Sequence, residues 1–175
     1  GFLLLVYVNA LMFVFRLFAG RLANRISIPG LLWVSSLLAA IGLFMLGEAQ
    51  SPATAVVAAT VWGLGVCVMW PTMLASVAER YPRGGSWAMG LVGSAGALAS
   101  FFVLPQLGAM FDRAKIEFAG GPEAFAQLTG PAKLAVEDAA ASLSFQRLAV
   151  LPVILLAVFG FIWLRERGKS RAALA

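Results

Sequence analysis

The sequence predicts an all-α membrane protein with five membrane-spanning helices, on three observations. Residues 26–47, 49–78, 84–111 and 148–164 contain no charged residue. The first three stretches exceed, and the fourth approaches, the roughly 20 apolar residues that carry a helix across a ~30 Å hydrocarbon core. Apolar residues make up 61% of the 175 and charged residues 12%, against about 45–50% and 25% in a soluble domain. The basic residues stand at the ends of the apolar stretches, where membrane topology places them. They form no single patch, so the net charge of +5 does not point to nucleic acid as a partner. With no His and one Cys, Cys67 inside a span, intrachain disulfides and the common zinc ligand sets are excluded. Cys67 reads as a small packing residue, and no cofactor is expected.

The first span covers about residues 1–19. Gly1 is no initiator Met, no basic region precedes it and no small-residue cleavage site follows. The start reads as an internal cut, so the chain is expected to be a fragment of a longer membrane protein forming a single transmembrane domain over 1–175. Pro29 opens the second span, about 29–47, in the first helical turn, where no needed hydrogen bond is lost. A polar turn with Glu48 and Pro52 leads into the third, about 52–77, which contains Pro71. Pro82, Gly84 and Gly85 punctuate the next junction. The fourth span, about 86–111, carries Pro105 late, and the fifth covers about 143–164. Residues 112–142 are the one long polar segment and read as an external loop. Two short helices are expected in it, starting at Pro122 and Pro131, either lying on the membrane surface or capping a pore mouth.

Lys and Arg counts orient the chain. One side carries Arg21, Arg25, Arg80, Arg83, Arg165, Arg167, Lys169 and Arg171, eight in all; the other carries Arg113, Lys115, Lys133 and Arg147, four. Basic residues favour the cytoplasm. The first set, with the C-terminus, is therefore expected to be cytoplasmic, in an integral membrane protein.

Four groups are candidates for function. Arg16, Gly20 and Asn24 recur at i+4 on one helix face, ending at Arg25. Their bland alternative is topology plus a packing glycine. On the fourth span Ser86, Gly90, Gly93, Ala97 and Ser100 form a stripe of small residues that suits close helix packing, either as a static contact or as a sliding seam; Ser94 lies off it. In the third span Trp62, Trp70 and Thr72 flank the Pro71 break. Pro71 removes a backbone donor and frees a carbonyl near Cys67, which needs another partner or lines a cavity. Asn9 lies mid-span, as inter-helix glue or as a substrate ligand.

The run Gly20-Arg21-Leu22-Ala23-Asn24-Arg25 resembles the loop signature of the major facilitator superfamily, roughly G-x-L-a-D-R-x-G-R-R. Asn24 stands where Asp is usual, and Ser27-Ile28-Pro29 replaces the final Gly and basic pair. Such a degraded copy joins the eighth and ninth helices of that family. Trp70-Pro71-Thr72, then Glu79-Arg80-Tyr81-Pro82-Arg83-Gly84-Gly85 and a glycine-rich helix, looks like the tenth helix, cytoplasmic loop and eleventh helix of loosely sugar-carrier-like members. The resemblance implies a partial C-terminal half of a major facilitator bundle, covering the equivalents of helices eight to twelve. It also implies alternating-access transport of a small polar solute, completed by the missing N-terminal half of the same transporter. Spans one, three and four would line the path, and spans two and five would face lipid. Asn9, Trp70, Thr72 and Ser94 would bind the solute, possibly a sugar. Arg16, Gly20, Asn24, Arg25, Glu79 and Arg80 would form the conformational-switch loops. No Asp or Glu lies inside a span, so a proton-coupling acid would belong to the missing part. The rival expectation is a structural or assembly subunit of a membrane complex. An enzyme is not expected, because no nucleophile–base set is present.

The charge bias predicts cytoplasmic Arg83 and Lys169 and an external Lys133. Single-cysteine accessibility labelling of Arg83→Cys, Lys169→Cys and Lys133→Cys checks it, and labelling of position 169 from outside would reverse the orientation.

Overall fold

The computed structural model describes residues 2–23 and 26–172, with side chains over 3–18 and 26–166. Helices are the only regular elements among the described residues: α1 Phe2–Ala23, α2 Ile28–Gly47, α3 Pro52–Cys67, α4 Met69–Arg80, α5 Gly85–Ala119, α6 Pro122–Gln127, α7 Gly130–Leu148 and α8 Val150–Ala172. Four stretches are long and apolar enough to cross a membrane: Ile28–Gly47, Pro52–Arg80, Pro82–Ala119 and Gly130–Glu166. The apolar part of α1, Leu3–Phe18, is shorter.

Local chemistry places the boundaries. Ser51 caps α3, its hydroxyl accepting from the Thr54 N–H at 3.2 Å, while the Thr54 hydroxyl accepts from the Ser51 N–H at 3.0 Å. Pro52 follows in the first turn. A 3₁₀ turn, Pro82–Gly84, joins α4 to α5, with Gly85 at φ 49°. Gly120 and Gly121, at φ 82° and 137°, end α5. Side-chain-bearing residues avoid that backbone region.

Residues 112–142, expected as a loop, are largely helical. α5 runs on through Asp112, Arg113, Lys115 and Glu117 to Ala119, and α7 starts at Gly130, one residue before Pro131. Charge marks where a helix leaves an apolar medium, not where it ends; α5 stops only at its glycine pair. At the far tip Phe125 of α6 lies between Lys115 and Lys133, each ammonium 5.5 Å from the ring centre. The expected fifth span is likewise divided, between the last turns of α7 and α8. The break is at Ala149, three residues before Pro152, whose missing N–H and ring disfavour a straight helix there.

The core is built on α2, which packs on α3, α4, α7 and α8. This corrects the expectation that the second span faces outward. Its buried set, including Gly30, Leu31, Ser35, Ser36, Ala39, Gly42, Leu43 and Gly47, spreads around the helix, the pattern of a helix enclosed on several sides. Against α3 the backbones touch. A Cβ on Gly42 would lie 2.4 Å from the Trp62 backbone nitrogen, and one on Gly65 would lie 2.5 Å from that of Ala39. Buried Ala58 and Ala59 on α3 are equally small. Against α8 the contact is reciprocal. The Trp163 ring edge stands 3.0 Å from a Cβ on Gly30, and the Trp33 ring edge 3.0 Å from one on Gly160. The two rings are 5.8 Å apart. α1 lies alongside α3 in the same direction, with Tyr7 Oη 2.9 Å from Thr60 Oγ1.

Gly42→Ala is expected to lower stability by about 1–3 kcal/mol, the cost of forcing atoms into a packed contact. Gly90→Ala, where a Cβ meets nothing within 4 Å, should stay within about 0.5 kcal/mol of the parent. Thermal unfolding of the purified chain in a mild detergent compares the two, and equal losses would refute the assignment of the seam.

Candidate functional site

Pro71 organises the region. Lacking an N–H, it cannot bond the carbonyl four residues back, that of Cys67, and its ring crowds that carbonyl. The rod from Pro52 to Arg80 breaks at Val68 accordingly, between α3 and α4. The freed Cys67 carbonyl accepts from Arg16 Nε at 3.4 Å, across from α1. The Val68 carbonyl accepts twice from Thr72, from its N–H at 3.0 Å and its hydroxyl at 2.6 Å. Thr72 and Cys67 are buried, and the Cys67 thiol donates to the Leu64 carbonyl at 3.2 Å. Leu31 of α2 completes this cluster, with Met12 of α1 packed on it. The one carbonyl that Pro71 orphans is thus met by a cation from the neighbouring helix.

The four residues assigned to solute binding are distributed unevenly around this break. Trp70 is 43% exposed and directs its ring edge at α5, 3.0 Å from where a Cβ on Gly96 would be. Ser94, two residues earlier on α5, is exposed. The Thr72 hydroxyl is committed to Val68. Asn9 is exposed and donates one amide hydrogen to the Leu5 carbonyl of its own helix at 2.8 Å. Among the described residues no hydrogen bond joins Asn9 to Trp70, Thr72 or Ser94. The structure therefore brings Trp70 against Gly96 of α5, and shows no contact that joins Trp70, Ser94 and Asn9 in one site among the described residues.

Of the switch-loop residues, Arg80 forms an ion pair with Glu166 of α8, through Nη2 and Oε1. Glu79 is exposed. Gly20 lies near the end of α1. Asn24 and Arg25 lie outside the described residues. The small-residue stripe Gly90, Gly93, Ala97 has no helix against it among the described residues. A Cβ on either glycine would be in open space, and Ala97 is exposed. The glycine that meets a neighbour on α5 is Gly96, off that stripe.

Three connections escaped sequence reasoning: Arg16 to Cys67, Arg80 to Glu166, and Gln146 Nε2 to Glu48 Oε1 at 2.7 Å. Glu166 carried a signal, as the one acid in the basic tail from Arg165 to Arg171. At the Glu48 end a cavity of about 960 Å³ opens between α1, the α2–α3 turn and α7. Tyr7, Gln50, Asp138 and Ser142 are among its polar lining residues, and none of the four assigned binding residues contributes. No family model matches the sequence, and no curated protein or solved structure matches the chain.

Arg16→Leu is expected to cost about 1–2 kcal/mol, because it strands a buried carbonyl. In a Pro71→Ala background residue 71 regains its N–H, and the same substitution should cost clearly less. A double-mutant cycle by thermal unfolding measures the difference; equal costs in both backgrounds would refute the pairing.

Proposed function

We propose that the chain is part of a secondary active transporter, integral to the bacterial inner membrane, that moves a small polar solute by alternating access. The carrying observation is the break in the Pro52–Arg80 rod, near its middle, with Trp70 exposed beside it. Transporters of this kind use discontinuous helices near the bilayer midplane to build their sites and to absorb motion. Polar ties then hold opposite ends of the bundle: Arg80 with Glu166 at one end and Glu48 with Gln146 at the other. Ties of that kind, made and broken in turn, suit a machine that opens to one side at a time. The resemblance of Gly20 to Arg25 and of Trp70 to Gly85 to major facilitator signatures supports the same reading.

In this reading the charge bias puts the C-terminus in the cytoplasm, and a second half of the same transporter completes the path. Trp70 offers a flat apolar face, Ser94 a hydroxyl, and Asn9 an acceptor and a remaining amide hydrogen. That set suits a neutral polar solute such as a sugar. The second reading, an assembly subunit, is favoured by the open stripe on α5, which a partner helix would fill.

Solute binding and uptake by the full-length protein in vesicles distinguish the two. Asn9→Ala is expected to weaken binding by about 0.5–1.5 kcal/mol, and Trp70→Ala to weaken it through lost stacking, with membrane expression unchanged. Parent-like binding in both variants would remove the site assignment. Absence of uptake across a panel of neutral solutes would favour the assembly subunit.

A further inference from the structure

At the Arg-rich end, the elbow between α4 and α5 encloses a groove of about 600 Å³. Val77, Leu91 and Val92 are among its apolar lining residues, Tyr81 and Trp87 its aromatic ones, and Arg80 and Arg83 its charged ones. No acidic residue lines it. Arg83 has no ion-pair partner among the described residues. Arg80 gives one nitrogen to Glu166, and a guanidinium has five N–H donors, so further donors remain.

We propose that this groove binds one anionic phospholipid, its phosphate held by Arg83 and the remaining donors of Arg80 and one acyl chain lying along Leu91 and Val92. The inference rests on the membrane reading given above. Charge selects the headgroup, since the groove offers cations and no carboxylate. Shape selects an amphiphile, because a soluble phosphate would leave the apolar wall in water. Position selects lipid. Trp87 and Tyr81, 74% and 64% exposed, stand where aromatic side chains mark the edge of a bilayer. The exposed apolar surface of α5 continues from the groove through Leu91 to Leu98 and Phe101.

Tryptophan fluorescence of the chain in phosphatidylcholine vesicles provides the test, with brominated phosphatidylglycerol or brominated phosphatidylcholine of the same acyl length as quencher. At equal low mole fraction the brominated phosphatidylglycerol should quench about five-fold more effectively, roughly what one basic residue near an anionic surface is worth. Arg83→Gln should remove most of that excess, Arg83→Lys should keep it, and Trp87→Phe should remove the responding emission. Equal quenching by the two lipids overturns the site, as does an excess that survives Arg83→Gln. Displacement by glycerol 3-phosphate at matched ionic strength also overturns it, in favour of a soluble anion. A chain that does not float with the vesicles overturns the membrane reading and the site together.

Discussion

The contact of α2 with α3, backbone against backbone at Gly42 and Gly65, decides where the other helices can go. Glycine permits the closest approach of two helices, and dispersion between their touching backbones then holds the pair. α8 packs on another part of the α2 surface. The two tryptophans of that second interface then settle into spaces left by glycines on the opposite helix. α1 takes the far side of α3, and its Arg16 comes to the height of the break. A larger residue at position 42 or 65 would push α3 outward and carry α1 and the break with it.

Prolines set the other constraint. Each removes a backbone donor, and in an apolar setting the bereaved carbonyl must find a substitute. At Pro71 the substitute is visible, the Arg16 guanidinium on the Cys67 carbonyl. Arg16 therefore has two reasons for its place. It belongs to the basic face near the end of α1, and it serves a carbonyl that would otherwise be unpaired. A cation so used is held in register by the break it repairs, which couples α1 to the α3–α4 joint.

Much of the architecture was legible in the sequence because its long charge-free stretches bound the helices. The charge-free stretches at 26–47 and 49–78 correspond to α2 and to α3 with most of α4. Pro71 announced a break one turn upstream, and Val68 is where it falls. Three features were not legible. The continuation of α5 to Ala119 and the length of α7 within the polar segment 112–142 are the first, since composition reports the surroundings of a chain and not its hydrogen bonding. The stripe of Gly90, Gly93 and Ala97 was read as a packing seam, but a stripe shows only that a helix can be approached. Whether it is approached depends on a complementary face, which Gly42 and Gly65 find in each other's helices and the α5 stripe does not find among the described residues. The Arg80–Glu166 pair spans 86 residues, and no local pattern joins such distant positions.

The crossed tryptophans carry a mechanical consequence. Trp33 over Gly160 and Trp163 over Gly30 act like two pegs in two holes, spaced along antiparallel rods. An axial slip of α8 by even one residue would drive both rings into neighbouring side chains at once. Packed surfaces of this kind jump between discrete arrangements and do not deform smoothly. α2 and α8 therefore travel as a single strut, and α3, locked to α2 at its glycines, belongs to the same rigid unit. α4 and α7 lean on the same α2 surface, whereas α5 is held through its neighbours α4, α6 and α7 and stands at the margin of the unit.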